Sequence, residues 1–282
     1  LGCAAAGDAV RGVSDVAVVA EALLFETDMR GVARLILNRP ERRNALDGDL
    51  IGALLARLAA IDGDPEIRVL LLTGSGEAFC SGADIDWMRA RLLDTPEANR
   101  AHAQTLADLM QRLKGLSTPT IVRIAGPAYG GGVGLICCCD IAIATDSAVF
   151  ALSEARLGLA PAVIAPYVIA AVGQRQARRL FLTAARIDAQ EAQRLGLVHR
   201  VVPTEQLDEA VEAEVGWILA GGPEALAHCK HISLGNLPKD PERTGSAELL
   251  TRLWASPEAR EGLSAFLEKR RPRWAEKQRG DQ

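Results

Sequence analysis

The sequence predicts an α/β fold, and two kinds of segment within its 282 residues carry that prediction. Short apolar runs with the composition of buried strands alternate with longer segments in which apolar residues recur at helical spacing. Small, glycine-rich loops join several of these segments. Because strands separated by helices pair readily as parallel neighbours joined by crossovers, this order favours an α/β core over a sandwich.

The first elements are a hairpin and a helix. Two β-rich runs, residues 22–27 and 33–37, flank a turn at 28–31, which predicts a hairpin. Asp47 has the position of an N-cap, and the residues after it have helical spacing. The apolar face of that helix is expected to carry Leu50, Leu54, Leu55, Leu58 and Ile61.

The order of strand and helix repeats further along the chain. Residues 69–72 form a compact apolar strand, which ends in a glycine turn. A long amphipathic helix is predicted from 96 to 116, and a buried strand at 120–124 follows it. A second glycine loop, a short apolar helix and a strand near 141–144 complete this part of the prediction.

The second half of the chain is predicted to be mostly helical from about residue 165, ending in an amphipathic helix at 257–269. We therefore divide the chain into a disordered leader (1–14), an α/β core (15–200) and a helical C-terminal region (201–282). An amphipathic tail needs a partner for its apolar face, and neighbouring copies are the expected one.

Composition excludes several classes of function. The net charge of −4, from 32 basic and 36 acidic residues, argues against a nucleic-acid surface. No apolar run reaches the roughly 18 to 20 residues of a membrane span. Three of the six cysteines are consecutive, at 137–139, and no C-x-x-C pair exists. Neither these cysteines nor the four histidines have the spacing of metal ligands, so we expect no metal and a reducing, cytoplasmic location.

Two loops of small residues, 77–85 and 126–134, follow apolar strands and end where helices are expected to begin. Free backbone N–H groups project from such positions and favour partial negative charge. Two of them converging on one oxygen would form an oxyanion hole. On composition alone, a pair of tight packing turns explains the loops equally well. Leu135 breaks the G-x-G-x-x-G pattern, and no G-K-[ST] follows either loop, so nucleotide motifs are excluded.

Four motifs follow one another along the chain: Leu37-Asn38-Arg39-Pro40 with Asn44-Ala45-Leu46, Phe79 to Ile85, Gly126 to Gly132 with Cys139-Asp140-Ile141, and Glu261 to Arg270. In these motifs the chain resembles, from about residue 22 to 274, the enoyl-CoA hydratase/isomerase (crotonase) superfamily. The resemblance implies a crotonase (ClpP-like) fold of repeated ββα units with a helical C-terminal region. It also implies an acyl-CoA thioester substrate, no separate cofactor, and a homotrimer or dimer of trimers.

The same resemblance assigns candidate site residues. Catalysis is expected from Glu154 and from the backbone N–H groups of Ser81 and Gly131, which would hold the thioester oxygen. Contacts to substrate or coenzyme A are expected from Arg42, Ser81, Gly82, Ala83, Asp84, Gly131, Gly134, Arg156, Phe266 and Lys269. Of these, Phe266 and Lys269 match positions that cover the nucleotide end, commonly from a neighbouring subunit.

The expected acid–base chemistry rests on one carboxylate. Hydratases of the family usually hold the attacking water between two glutamates, one three residues after the middle glycine and one twenty further on. Here the first position is Gly134 and the second is Glu154. In an apolar pocket the pKa of Glu154 should rise, which suits it to take a proton from water and return it to the α-carbon.

A closer resemblance points to the substrate. Residues 84–88, 134–140 and 152–164 look like those of bacterial methylglutaconyl-CoA hydratases, whose substrates are branched and carry a second carboxylate. Arg156 is the candidate cation for that carboxylate. The sequence thus predicts water addition to an α,β-unsaturated acyl-CoA, branched or methylglutaconyl-type. A Δ3-Δ2 enoyl-CoA isomerase using one glutamate and a non-catalytic acyl-CoA-binding homologue remain as alternatives.

Overall fold

A computed structural model describes residues 21–235 and 244–276, so the predicted leader at 1–14 lies outside the described residues. The strands are β1 (Leu23–Thr27), β2 (Val32–Leu37), β3 (Val69–Gly74), β4 (Thr120–Ile124), β5 (Ala128–Tyr129), β6 (Ile141–Thr145), β7 (Val149–Ala151), β8 (Ile187–Asp188) and β9 (Arg200–Val202). The helices are α1 (Gly48–Asp62), α2 (Ile85–Arg91), α3 (Pro96–Gly115), α4 (Gly131–Cys138), α5 (Ala165–Thr183), α6 (Ala189–Leu195), α7 (Leu207–Ala220), α8 (Pro223–Ser233), α9 (Thr244–Ala255), α10 (Pro257–Leu267) and α11 (Arg273–Glu276). Short 3-10 helices occupy Pro40–Arg42, Glu154–Leu157 and Thr204–Gln206.

The main sheet has six strands in the order β1-β2-β3-β4-β6-β9. Its first pair is the predicted antiparallel hairpin, and every later pair is parallel. A smaller sheet contains β5, β7 and β8, with β5 parallel to β7 and β8 antiparallel to it. The predicted α/β class is therefore confirmed.

Side-chain alternation along the strands divides the core between the two faces of the main sheet. Leu70 and Leu72 of β3 join the large apolar cluster that α1, α3, α4 and α5 also contribute to. Val69 and Leu71, one residue out of phase, belong to a second cluster that is covered by α7. Because successive strand side chains point to opposite faces, one apolar run serves both clusters.

The α/β part of the molecule extends past the predicted boundary at residue 200. The edge strand β9 begins there and pairs with β6, and α7 buries its apolar face against the same sheet. The division at 200 therefore does not coincide with a boundary in the packing. The sequence reasoning missed this because a three-residue strand carries no measurable periodicity.

Asp47 confirms its predicted role at the start of α1, because its side chain accepts a hydrogen bond from the Leu50 N–H at 2.9 Å. Four of the five residues predicted for the buried face of α1 are buried, and Leu55 is half-buried. In the long helix α3, which ends at Gly115, the buried residues are Leu109, Met110 and Leu113. The two helices pack against the same large cluster.

Candidate active site

A cavity of about 350 Å³ lies between the two glycine loops, α2, α3 and residues 153–164. Its size is in the range of small-molecule sites. Most of the described residues that line it are apolar, and those with a hydroxyl or charged side chain are Ser81, Ser153 and Glu154. Such a lining favours apolar groups in the interior, so the few polar groups on it decide what chemistry the cavity supports.

The two loops are hydrogen-bonded to each other. The Tyr129 N–H donates to the Cys80 carbonyl at 2.9 Å, and the Cys80 N–H donates to the Pro127 carbonyl at 3.3 Å. Gly82, with φ of +87°, lies where an added Cβ would come within 2.9 Å of the Tyr129 carbonyl oxygen and 3.7 Å of the Gly131 nitrogen. The close approach of the loops therefore depends on glycine at this position.

Asn44 holds the first loop in place through hydrogen bonds to backbone groups. Its side chain is fully buried and bridges three backbone groups: it accepts from the Arg39 N–H and donates to the carbonyls of Ser75 and Ala78, each at 2.8 Å. The residue has a left-handed backbone, with φ of 56°, which asparagine tolerates better than most residues. Asn44 thus ties the segment after β2 to the loop after β3.

Asp84 ends the first loop as the N-cap of α2. Its carboxylate accepts from the N–H groups of Asp86 and Trp87, at 2.9 and 3.2 Å, and pairs with Arg39 and Arg42, at 3.2 and 3.3 Å. Burial alone would raise the pKa of Asp84, but these backbone donors and arginines lower it below its usual value. Its side chain is 4 % exposed, so it supports the loop and does not offer a free carboxylate to a ligand.

Ser81 does not supply the expected backbone donor. Its N–H already donates to the Arg43 carbonyl at 3.0 Å. Two residues on, the chain pairs with Leu46: the Leu46 N–H donates to Gly82 at 2.7 Å, and the Asp84 N–H donates to Leu46 at 2.9 Å. In a parallel bridge of this kind the intervening residue directs its own N–H to the opposite side.

That intervening residue is Ala83, which lines the cavity. None of the described residues accepts a hydrogen bond from its N–H. The donor on the first loop is therefore Ala83 and not Ser81. The sequence reasoning placed it two positions early because hydrogen-bond direction follows from the pairing with Leu46, which the loop sequence does not encode.

The Gly131 N–H is free to act as the second donor, and its role in holding a thioester oxygen stays a prediction. Gly131 is the first residue of α4, so its N–H has no partner within the helix, and no described residue accepts from it. The N-cap before it, Gly130, has φ of 47° and donates its own N–H to Ala151 at 3.0 Å. Gly131 lines the same cavity as Ala83, with the positive end of α4 behind it.

Glu154 faces these donors from the 3-10 helix after β7. A Cβ added to Gly130 would lie 3.0 Å from its Oε1, so the carboxyl group sits against the start of α4. Its Oε2 is buried and has no hydrogen-bond partner among the described residues. Burial raises the pKa of Glu154 above the ordinary 4.5, and the hydrogen bond from its own backbone offsets this only in part.

Comparison with known proteins identifies the family of the chain. Residues 27–278 match the family model described as enoyl-CoA hydratase/isomerase. The chain belongs to that family of enzymes. The predicted membership of the crotonase superfamily is confirmed, and with it the predicted fold.

Individual relatives of the enoyl-CoA hydratase/isomerase family match over most of their length. A putative enoyl-CoA hydratase from Thermus thermophilus is 33 % identical over 253 residues, which cover 89 % of this chain and all of the relative. A crotonyl-CoA hydratase from Syntrophomonas wolfei is 33 % identical over 261 residues, 91 % of this chain and 99 % of the relative. The crystal structure of an enoyl-CoA hydratase from Shewanella pealeana is 40 % identical with a TM-score of 0.85, covering 90 % of this chain and 96 % of that one.

Within the family pattern, Gly134 is the position at which two-glutamate hydratases are expected to carry their first carboxylate. In this chain an added Cβ there would lie 2.4 Å from Ile164 Cγ2 and 3.2 Å from Met110 Cε. Ile164 lines the cavity and Gly134 does not. Gly134 is therefore a packing position behind the cavity wall, which corrects its predicted contact with substrate.

The other predicted binding residues lie outside the cavity lining. Arg156 is exposed and does not line the cavity, so it does not supply a cation to its interior. Arg42 is half-exposed at its side chain and donates to Asp84 and Asp86 near the first loop. Phe266 and Lys269 are exposed on and after α10. Contacts of Arg42, Phe266 and Lys269 with coenzyme A stay predictions.

No helix among residues 21–235 and 244–276 is long and apolar enough to cross a membrane. In the same residues, no group of three or more His, Cys, Asp or Glu is placed to hold a metal ion.

Proposed function

We propose that the protein is a hydratase of α,β-unsaturated acyl-CoA thioesters. The observation that supports this is the convergence on one apolar cavity of two N–H groups without acceptors, at Ala83 and Gly131, and of the Glu154 carboxyl group. A thioester carbonyl accepting both N–H groups becomes polarised. Each donor of this kind stabilises a developing oxyanion by about 3 to 4 kcal/mol.

The proposed reaction uses Glu154 for every proton transfer. An attacking water gives one proton to the Glu154 carboxylate while its oxygen bonds to Cβ. The electron pair of the double bond moves towards the thioester, and the resulting enolate oxygen is held by the N–H groups of Ala83 and Gly131. Glu154 then delivers its proton to Cα and returns to the ionised form. One water is added, on one face of the double bond, and the raised pKa of Glu154 suits both transfers.

We propose that the acyl group of the substrate is an apolar chain, either straight or branched. None of the described residues that line the cavity is an arginine or lysine. A distal carboxylate in this cavity would lack a cation and would pay the cost of desolvation. Val163 and Ile164 are branched side chains in the lining, so we expect them to limit the branching and length of the acyl chain.

A methylglutaconyl-type substrate is the second candidate, favoured by one observation at the cavity wall. The Arg91 guanidinium stacks 4.8 Å from the ring of Trp87, which lines the cavity. Its Nε lies 2.7 Å from Asp94 Oδ2, and its Nη1 is buried without a hydrogen-bond partner among the described residues. Movement of Trp87 would uncover Nη1 for a distal carboxylate. Comparing kcat/KM for crotonyl-CoA and 3-methylglutaconyl-CoA decides between the two classes.

An enoyl-CoA isomerase is a second candidate function, because one carboxyl group is enough to move a proton between carbons and only Glu154 among the described lining residues carries one. Mass spectrometry separates the two reactions, since hydration adds one water and isomerisation changes no mass.

We expect water addition by the wild type and a loss of about 10²- to 10⁴-fold in kcat for Glu154→Gln with coenzyme-A ester binding retained. Binding without turnover of any enoyl-CoA ester would instead support a non-catalytic homologue.

We further propose a cytoplasmic homotrimer, or a dimer of trimers, that needs no cofactor beyond the coenzyme A of its substrate. Large apolar side chains are exposed on α9 and α10, among them Trp254, Phe266 and Leu267. Neighbouring copies would cover them. The five described cysteines are all free thiols, as a reducing compartment requires.

A further inference from the structure

An attacking water needs more than one hydrogen-bond partner to be held in a single orientation, and ordered waters in proteins typically have about three. Glu154 can accept one hydrogen of such a water. The position that could offer a second carboxylate is closed, because Ile164 occupies the space in front of Gly134. The second partner must therefore come from another polar group on the cavity wall.

Among the described residues, two that carry a hydroxyl line the cavity, and their surroundings differ. The Ser81 hydroxyl already donates to the Arg42 carbonyl at 3.3 Å, on the side of the first loop. The Ser153 hydroxyl has no hydrogen-bond partner among the described residues, although the residue is half-buried and lines the cavity directly before Glu154. A polar group in this condition is available to a ligand or a water.

The Ser153 hydroxyl does not cap the helix that follows it. Ser153 occupies the N-cap position of the 3-10 helix Glu154–Leu157, where serine usually caps with its side chain. Here φ is −91° and ψ is 3°, which is not the extended conformation of a capping residue, and no side-chain cap bond forms. The backbone instead leaves the hydroxyl uncommitted, on the residue directly before Glu154 in the lining of the cavity.

We infer that Ser153 is the second anchor of the attacking water, and this inference rests on the proposed hydratase function. The water donates one hydrogen to Glu154 and the other to the Ser153 Oγ, which leaves a lone pair for Cβ. The proton taken by Glu154 goes on to Cα, as above. The hydrogen held by Ser153 stays on the oxygen and becomes that of the product hydroxyl, so atoms and charge balance without any other reactant.

The test compares Ser153→Ala with Ser153→Thr, which keeps a hydroxyl, in the full-length protein. Two quantities are measured: kcat for water addition to crotonyl-CoA, and the Kd of butyryl-CoA, a saturated ester that binds without needing the water. For Ser153→Ala we expect kcat to fall by about 10- to 100-fold, because a hydrogen bond to the reacting water is lost. The Kd of butyryl-CoA should stay within about two-fold, and Ser153→Thr should recover most of the lost kcat.

An unchanged kcat in Ser153→Ala overturns the inference. So does a parallel loss of kcat and butyryl-CoA binding that threonine does not restore, since that pattern indicates a structural role. If the wild type hydrates no enoyl-CoA ester, the proposed function fails together with the inference. Hydration by the wild type with full activity in Ser153→Ala removes only the role of Ser153.

Discussion

The buried position of Glu154 lowers the stability of the folded protein and favours the proposed proton transfers. Its Oε2 is buried without a donor, so ionisation inside the protein is disfavoured, while the proposed reaction begins from the ionised form. The N-terminus of α4, against which the carboxyl group lies, offsets part of that cost. A carboxylate without a fixed donor is also a stronger proton acceptor, which is what addition of water requires.

This conflict predicts a pH-dependent effect of Glu154→Gln on stability. Below the unfolded-state pKa, near 4.5, both states are protonated and the raised folded-state pKa costs nothing. As the pH rises, the unfolded state ionises first, so the native protein loses stability until the pH exceeds the folded-state pKa. Glutamine removes this loss. The variant should therefore melt at a higher temperature than the wild type at pH 7, and the difference should shrink towards about pH 4.

Circular dichroism melts at the two pH values measure the effect, with Glu248→Gln as the matched control because Glu248 is exposed on α9. A stabilisation by Glu154→Gln that is equally large at both pH values would contradict the raised pKa.

At the scale of elements, the orientation of the proposed donor Ala83 depends on how residues 39–46 are hydrogen-bonded to the first loop. Leu46 orients Ala83, while Asn44 and Asp84 hold the two ends of the loop. Asn44 and the preceding Arg43 both have left-handed φ angles, of 56° and 51°. The strained backbone persists because these hydrogen bonds hold it.

Substitution of Asn44 separates the hydrogen-bond and backbone contributions. Asn44→Ala leaves the part-buried Ser75 carbonyl and the buried Ala78 carbonyl without their donor, so we expect a loss of about 2 to 4 kcal/mol in the free energy of unfolding. Asn44→Gly loses the same bonds but accepts the left-handed φ, and it should be about 1 kcal/mol less destabilised. Urea unfolding of both variants gives the values. Equal stability of the two variants would show that the backbone at 44 is not strained.

Elements whose pattern is encoded in neighbouring residues could be predicted from the sequence, and features that depend on distant segments could not. The strong periodicity of α1 and its cap Asp47 are encoded in neighbouring residues, and both were predicted. The strands of the small sheet have two or three residues each, too few for a pattern, and they form because the larger sheet and its helices hold them. The glycine loops and Glu154 could be found from motif spacing. The identity of the donor at Ala83, the filling of the space at Gly134 and the free hydroxyl of Ser153 depend on packing between distant segments.

At the scale of the whole molecule, the C-terminal helices leave an apolar groove open. It has a volume of about 400 Å³ and is lined by residues of α8 to α11, including Leu250, Trp254 and Trp274. An exposed apolar groove of this kind is typical of surfaces that another chain covers. The proposed trimer gives it such a partner.

Trp254→Asp tests that proposal, because the side chain is 60 % exposed and a charge there opposes burial against a neighbour. We expect the wild type to elute with a multiple of three chain masses in size-exclusion chromatography with light scattering, and the variant to shift towards smaller species. Arg252→Asp, which changes an exposed charged position on the same helix, serves as the control. A wild type that elutes as a monomer would remove the proposed trimer.

The central claim is that the main-chain N–H groups of Ala83 and Gly131 hold and polarise a thioester carbonyl. Infrared difference spectroscopy of butyryl-CoA carrying a ¹³C label at the carbonyl, bound to the wild-type protein, measures this directly. Two hydrogen bonds that withdraw electron density from the carbonyl should lower its stretching frequency below that of the free ester in water. A bound ester whose carbonyl absorbs at the frequency seen in water, or higher, would contradict the account.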